Sequence, residues 1–169
     1  MEKKWNAIYV ASRQEKKVFD VLQKKGIQSY LPLVKTLRQW SDRKKMVEFP
    51  LLPGYVFVCL TNESQKLLVQ QTKGVVNYVY SNGKIGVVYQ NEIESLQNLI
   101  RLGYHLESFP SSQRIQKGDR IQISSGPLKN LEGIVIEENN EEFFQIFLEG
   151  IDFNVRVKLP EGVLKKIHT

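Results

Sequence analysis

Two spacings of apolar residues alternate along the first hundred positions, and each predicts a type of element. Residues 5–11, with Trp5, Ala7, Ile8, Tyr9 and Val10, are rich in aromatic and β-branched side chains and predict a first strand ending at Ser12 or Arg13. From 14 to 25 the period lengthens: Val18, Val21 and Leu22 recur at helical spacing beside Phe19, and Gly26 supplies a stop. Strand character returns over 27–34, where Pro32 marks an edge or an irregular end. Residues 35–48 form two short segments around a polar turn at Ser41 to Lys44, the pattern of a projecting hairpin. After Phe49-Pro50-Leu51-Leu52-Pro53-Gly54 comes a run, Tyr55-Val56-Phe57-Val58-Cys59-Leu60, with almost no polar residue to mark a solvent face. Such a run predicts a strand buried on both faces, or one whose second face awaits a partner.

Farther on, Asn62, Glu63 and Ser64 offer N-cap side chains to a short helix over 65–71, closed by Thr72-Lys73-Gly74. A strand over 75–80, a turn at Ser81-Asn82-Gly83 and a strand over 84–88 follow. Asn91 and Glu94 resemble a capping box ahead of the helical stripe Ile93, Leu96, Leu99 and Ile100. The order predicts an α+β fold for 1–102, an antiparallel sheet flanked by helices. The periodicity then fades, and 103–114, with Ser108-Phe109-Pro110-Ser111-Ser112, reads as a linker. Beyond it, segments 119–124, 131–137, 143–148, 153–159 and 163–167 read as short strands, a small all-β barrel over 115–169. Residues 141–148 suit either strand or helix, so a change of fold there stays open.

Composition narrows the classes. With 169 residues and 41% hydrophobic content the chain can bury a core. No apolar run approaches the roughly 18 residues that span a bilayer, and the start lacks an apolar secretion segment, so the expectation is a soluble, monomeric, cytoplasmic protein. A single cysteine, Cys59, excludes an internal disulfide and a multi-cysteine zinc site, and neither metal nor cofactor is expected. Charge is unevenly placed: residues 1–50 hold twelve Lys and Arg against five Asp and Glu, 51–110 hold four against four, and 111–169 hold eight against nine. A basic region confined to one end is the electrostatic footprint expected for phosphate backbones, although lysines also serve solubility alone.

Two candidate nucleic-acid surfaces lie in that region. On the first helix Arg13, Lys16, Lys17, Asp20 and Lys24 share an arc opposite Val18, Val21 and Leu22; the bland alternative is a solvated face with Asp20 paired to Lys16 and Lys24. In the hairpin, Trp40 stands among Arg38, Arg43, Lys44 and Lys45, an arrangement in which a ring stacks on a base while cations track phosphates; packing of Trp40 on the parent sheet is the alternative. Catalysis is not expected, because Cys59 sits in a strand, His105 and His168 fall near no nucleophile, and no phosphate-cradling loop or carboxylate pair appears.

The motifs also carry a resemblance. Lys117-Gly118-Asp119-Arg120-Ile121, Ser125-Gly126-Pro127-Leu128 and Leu131-Glu132-Gly133-Ile134-Val135 are similar to the KOW motif that opens the barrel of NusG-type transcription factors, with Gly118, Asp119, Gly126 and Gly133 as its marker residues. Trp5, the Phe49 to Val58 stretch and Thr72-Lys73-Gly74-Val75 resemble the N-terminal domain of the same family, so the likeness covers nearly the whole chain. It implies a transcription elongation or antitermination factor acting without bond chemistry. Tyr9, Tyr55 and Phe57 would meet the clamp helices of bacterial RNA polymerase, with Tyr55 and Phe57 on a partly open face and Val56 and Val58 in the core. Gln70, Gln71, Thr72 and Lys73 would touch the opposite gate loop, closing the clamp and disfavouring the paused state. Ser12, Arg13, Lys16 and Lys17 match the region that in specialised paralogues lies against non-template DNA. The segment from Ser12 to Val18 looks like operon-specific antiterminators of capsule and exopolysaccharide loci. The barrel's partner stays open between a ribosomal protein, termination factor Rho and the chain's own first domain. A KOW-containing RNA-binding factor of translation or ribosome assembly is the alternative reading.

Overall fold

Strand β1 (Lys4–Val10) has neighbours along both edges and buries Trp5, Ala7, Ile8 and Val10. It runs antiparallel to β5 (Tyr55–Cys59), β6 (Val75–Tyr78) and, at its start, β9 (Val88–Tyr89), while β2 (Gln28–Tyr30) forms the far edge against β5. These strands belong to the first of two compact units, Met1–Gln90; the second is Asn91–Thr169. The computed structural model describes residues 3–110, 119–123, 129 and 131–158.

In the first unit, helix α1 (Glu15–Lys24) places Val18 and Leu22 against Ile8 and Val10 of β1 and Val56 and Val58 of β5. Ile27, Leu31, Tyr78 and Val69 of helix α2 (Glu63–Gln70) complete that cluster. Each such side chain contributes about 1.5–3 kcal/mol by leaving water. The Asn62 side chain accepts from the Gln65 backbone N–H at 2.9 Å and caps α2, as its position before the apolar run predicts.

The strand expected over 27–34 divides. Pro32 interrupts it, so β2 stops at Tyr30, and β3 (Leu33–Gln39) leaves the sheet and pairs with β4 (Lys44–Pro50). Two further strands expected over 75–80 and 84–88 are likewise broken: β7 (Tyr80–Ser81) and β8 (Lys84–Ile85) form a separate small hairpin across Asn82 and Gly83, both at positive φ.

Helix α3 (Gln90–Arg101) buries Ile93, Leu96 and Leu99 along one stripe. It begins at Gln90, one residue before the expected cap, so Asn91 lies within its first turn, and its carbonyl accepts from the Ser95 hydroxyl at 2.8 Å. In the second unit, β10 (Leu106–Pro110), β14 (Phe153–Val157), β13 (Glu141–Leu148), β12 (Glu132–Glu138) and β11 (Asp119–Gln122) form a five-stranded antiparallel sheet in that order. Phe144, Ile146, Leu148, Val155 and Val157 are buried there.

Two expectations change. Residues 106–110, read as part of a linker, form β10 along the edge of that sheet, because cross-strand partners on β14 satisfy backbone groups that the local composition leaves undefined. The unit boundary falls at Gln90/Asn91 rather than after 102. Residues 141–148 are strand. The strand expected over 163–167 lies outside the described residues.

Candidate functional site

The turn before β5 sets the first candidate surface. Gly54 stands at φ +87°, a backbone state open to glycine, and its carbonyl accepts from the Val10 N–H at 2.9 Å. Its own N–H points at the Glu15 carboxylate, 3.4 Å away, a buried charge at the start of α1 that sequence patterning did not single out. Anchored this way, Tyr55 falls opposite Tyr9 across the β1–β5 pair. The rings tilt at 48° with centroids 4.9 Å apart, and the Tyr55 hydroxyl reaches the Tyr9 hydroxyl at 3.4 Å. Burial, with the Tyr9 hydroxyl beside it, pushes the Tyr55 phenol well above its ordinary pKa. Tyr9 remains 40% exposed, whereas Tyr55 is 9% exposed.

Phe57 does not join this surface. It is fully buried on the central strand between β1 and β2, with Tyr30 stacked on its ring at 6.3 Å, so the expectation of a partly open Phe57 is corrected: Phe57 is core. Val56 and Val58 face the helical side, as expected. Thr72 is corrected in the same way. It is buried at the end of α2, where its hydroxyl donates to the Leu68 carbonyl at 2.8 Å and accepts from Lys25 Nζ at 2.8 Å. Lys73, Gln70 and Gln71 are exposed.

Lys16, Lys17 and Lys24 of α1 are exposed, as is Arg13, which lies in the turn before the helix and not on it. Arg13 sits in the left-handed region at φ +64°, a state costing roughly 1–2 kcal/mol for a side chain of its type. The ion pairs expected between Asp20 and Lys16 or Lys24 are absent among the described residues. Lys16 instead donates to the Glu48 carbonyl of β4 at 3.1 Å, which joins the α1 arc to the hairpin.

The hairpin carries the second surface. Residues 35–46 are exposed throughout, with Trp40 at 44%, so Trp40 does not pack on the parent sheet. Arg38 lies over the Phe49 ring at 4.2 Å and Arg43 over Trp40 at 5.9 Å. Strand alternation puts Lys45, opposite Arg38, on the Trp40 face and turns Lys44, opposite Gln39, to the other. Lys44 is therefore not grouped with Trp40. The signal that finds this was available in the sequence once the turn is set at Ser41-Asp42 instead of Ser41 to Lys44.

Of the KOW markers, Gly118 and Gly126 lie outside the described residues, and Asp119 opens β11. Gly133 on β12 is required by space: a Cβ there would meet the Gln145 carbonyl oxygen and lie 2.7 Å from the Phe144 ring. Nearby, a cavity of about 410 Å³ is lined by His105, Glu107, Glu138, Glu141, Phe143 and Arg156, among others. Arg156 bonds Glu107 at 2.9 Å and Glu138 at 2.6 Å and lies over Phe143 at 4.4 Å, and the same guanidinium holds the Glu107 carboxyl below its ordinary pKa. That network is internally satisfied. Among the described residues no cluster of three or more His, Cys, Asp or Glu has metal-binding geometry, and no helix is long and apolar enough to cross a membrane.

A model of the NusG family, described as transcription termination factor nusG, matches residues 3–97. The transcription termination/antitermination protein NusG of Thermus thermophilus is 25% identical over 159 residues, covering 83% of this chain and 85% of its own. Among solved structures, one of Thermotoga maritima NusG, described by its domain interaction, aligns at TM-score 0.48 and 24% identity over 94% of this chain and 93% of that one. The MjSpt4:Spt5 complex in its conformation A aligns at 0.31 and 19% over 97% and 96%. The family match takes in the α1 arc, the hairpin and the Tyr9–Tyr55 edge and spans more than half of the sequence: the chain belongs to the NusG family of transcription factors, proteins that act without catalysing a reaction.

Proposed function

We propose that this chain binds the clamp helices of bacterial RNA polymerase through the Tyr9–Tyr55 edge and suppresses pausing or termination during elongation. One observation carries the reading: an exposed aromatic, Tyr9, is held against Tyr55 at the end of the two central strands instead of being folded into the core. An amphipathic ring pair at a rigid sheet end is the kind of anchor that dominates protein interfaces. Lys73, exposed beyond α2, would reach the opposite pincer, and holding both pincers favours the closed clamp by differential affinity.

Arg13, Lys16, Lys17 and Lys24, with Arg38, Arg43 and Lys45 of the hairpin that the Lys16–Glu48 bond ties to α1, would contact non-template DNA in the elongation complex. The Ser12 to Val18 segment supports assignment to a surface-polysaccharide operon, in a monomeric cytoplasmic factor whose second unit recruits a ribosomal protein or Rho.

The test is binding of the full-length chain to bacterial core RNA polymerase, wild type beside Tyr9→Ala. Binding should weaken by about 2 kcal/mol with folding unchanged, since Tyr9 is a half-exposed surface ring. Failure of the wild-type chain to bind, or undiminished binding by the variant, overturns the assignment of this edge.

A further inference from the structure

Among the described residues strands β3 and β4 pair only with each other, and their seven-residue ladders sort every exposed side chain onto one of two faces. One face carries Arg38, Trp40, Arg43, Lys45 and Phe49. The other carries Lys35, Leu37, Lys44 and Met46, with Lys35 neutralised by Glu48 at 3.9 Å. Trp40 and Arg43 extend the ladder past the last strand residues, the Trp40 N–H donating to the Arg43 carbonyl at 2.8 Å, so their side chains belong to the first face.

On that first face no cation is neutralised. Among the described residues Arg38, Arg43 and Lys45 make no ion pair, and the two guanidiniums lie over rings rather than against carboxylates. Trp40 stands at the tip, 44% exposed, with the Arg43 guanidinium 5.9 Å from its ring. Flat aromatic surface between unpaired cations on a protruding ribbon complements a polyanion that offers unstacked bases.

We propose that the Trp40 face of the hairpin, and not its Lys44 face, is a binding site for single-stranded nucleic acid. One base stacks on Trp40, beside Arg43, while Arg38 and Lys45 hold flanking phosphates. This deepens the nucleic-acid contact proposed above and rests on it. A single strand is the fitting ligand because duplex bases hide their faces in their own stack, and only an unpaired base presents a π-surface to the indole.

The experiment uses the full-length chain without polymerase and reads tryptophan fluorescence. Trp5, the other tryptophan, is buried and its Nε1–H is bonded to the Gln90 side chain at 2.7 Å, so quenching reports Trp40. Oligothymidylate and oligouridylate of about 12 nucleotides should each quench it, and a duplex of equal length should not. In anisotropy with the labelled strand, Trp40→Ala should weaken binding about tenfold, Lys45→Gln several-fold and Lys44→Gln not at all. Similar affinity for the two oligonucleotides supports readout of base and phosphate alone, and a preference for either identifies DNA or RNA as the source. Absence of quenching, equal binding of duplex, or equal losses in Lys44→Gln and Lys45→Gln overturns the site. Polymerase binding by the same variants is measured separately, so failure of the hairpin site leaves the Tyr9–Tyr55 reading standing, and the reverse.

Discussion

Phe57 and Tyr9 are both aromatic residues on central strands, yet one is fully buried and the other 40% exposed. The difference lies in their neighbours. Each is flanked by a strand on both sides, but Phe57 is covered by the Tyr30 ring, whereas Tyr9 stands near the end of β1, opposite Tyr55 just after the Gly54 turn. Phe57→Ala should therefore lower unfolding free energy by about 3–5 kcal/mol in chemical denaturation, as expected for a large core truncation. Tyr9→Ala should stay within about 1 kcal/mol of wild type. A similar small cost for Phe57→Ala would return that ring to the surface. The tyrosines also give a pH signature. Burial raises Tyr78 to about 12, with Glu63 and Tyr80 adding to the effect. Above the ordinary tyrosine value near 10 the unfolded chain loses this proton while the folded chain keeps it, so stability present at neutral pH falls between about pH 10 and 12. Thermal melts across that window should show Tm declining with pH, and Tyr78→Phe should flatten the decline. An unchanged slope in the variant would remove Tyr78 from the cause.

At the scale of elements, β12 depends on Gly133 passing beneath the Phe144 ring and the Gln145 carbonyl of β13. Since a carbonyl in a paired strand cannot move aside, Gly133→Ala should destabilise the second sheet by about 1–3 kcal/mol, read as a loss of amide protection along β12 and β13. Full protection in the variant would show that the strands can part without cost. The KOW resemblance marks this glycine, but the reason for it is cross-strand and appears only once β12 and β13 are paired. The same holds for β10: Leu106-Glu107-Ser108-Phe109-Pro110 lacks a clear alternation, and its strand identity comes from β14, more than forty residues away in sequence, as in the Arg156–Glu107 pair with its separation of 49. Helix α1, by contrast, is legible because Val18, Leu22 and Gly26 carry both its face and its stop within one local window.

For the whole molecule, charge placement decides how it meets nucleic acid. The first fifty residues hold the entire positive excess, and the Lys16–Glu48 bond links the first helix to the hairpin. Binding of single strands should thus fall with salt, the logarithmic slope being about −0.7 per phosphate neutralised. Arg13→Ala with Lys17→Ala should make that slope shallower by one to two such increments. A slope unchanged by the substitutions would confine those residues to solubility.

The sequence by itself determined the element types, the α+β first half with a strand-rich second half, the family, and the basic end of the chain, because periodicity, turn residues and net charge are local properties that survive without a partner. Tertiary structure alone decided which apolar residues are core and which are surface. β5 is apolar at every position, so its own pattern could not say that Phe57 is enclosed by β1, β2 and Tyr30, or that Thr72 is sealed by Lys25 and Leu68. It also decided the faces of the hairpin: shifting a turn by one residue exchanges Lys44 for Lys45 beside Trp40, and only the paired register fixes which of them looks toward the ligand.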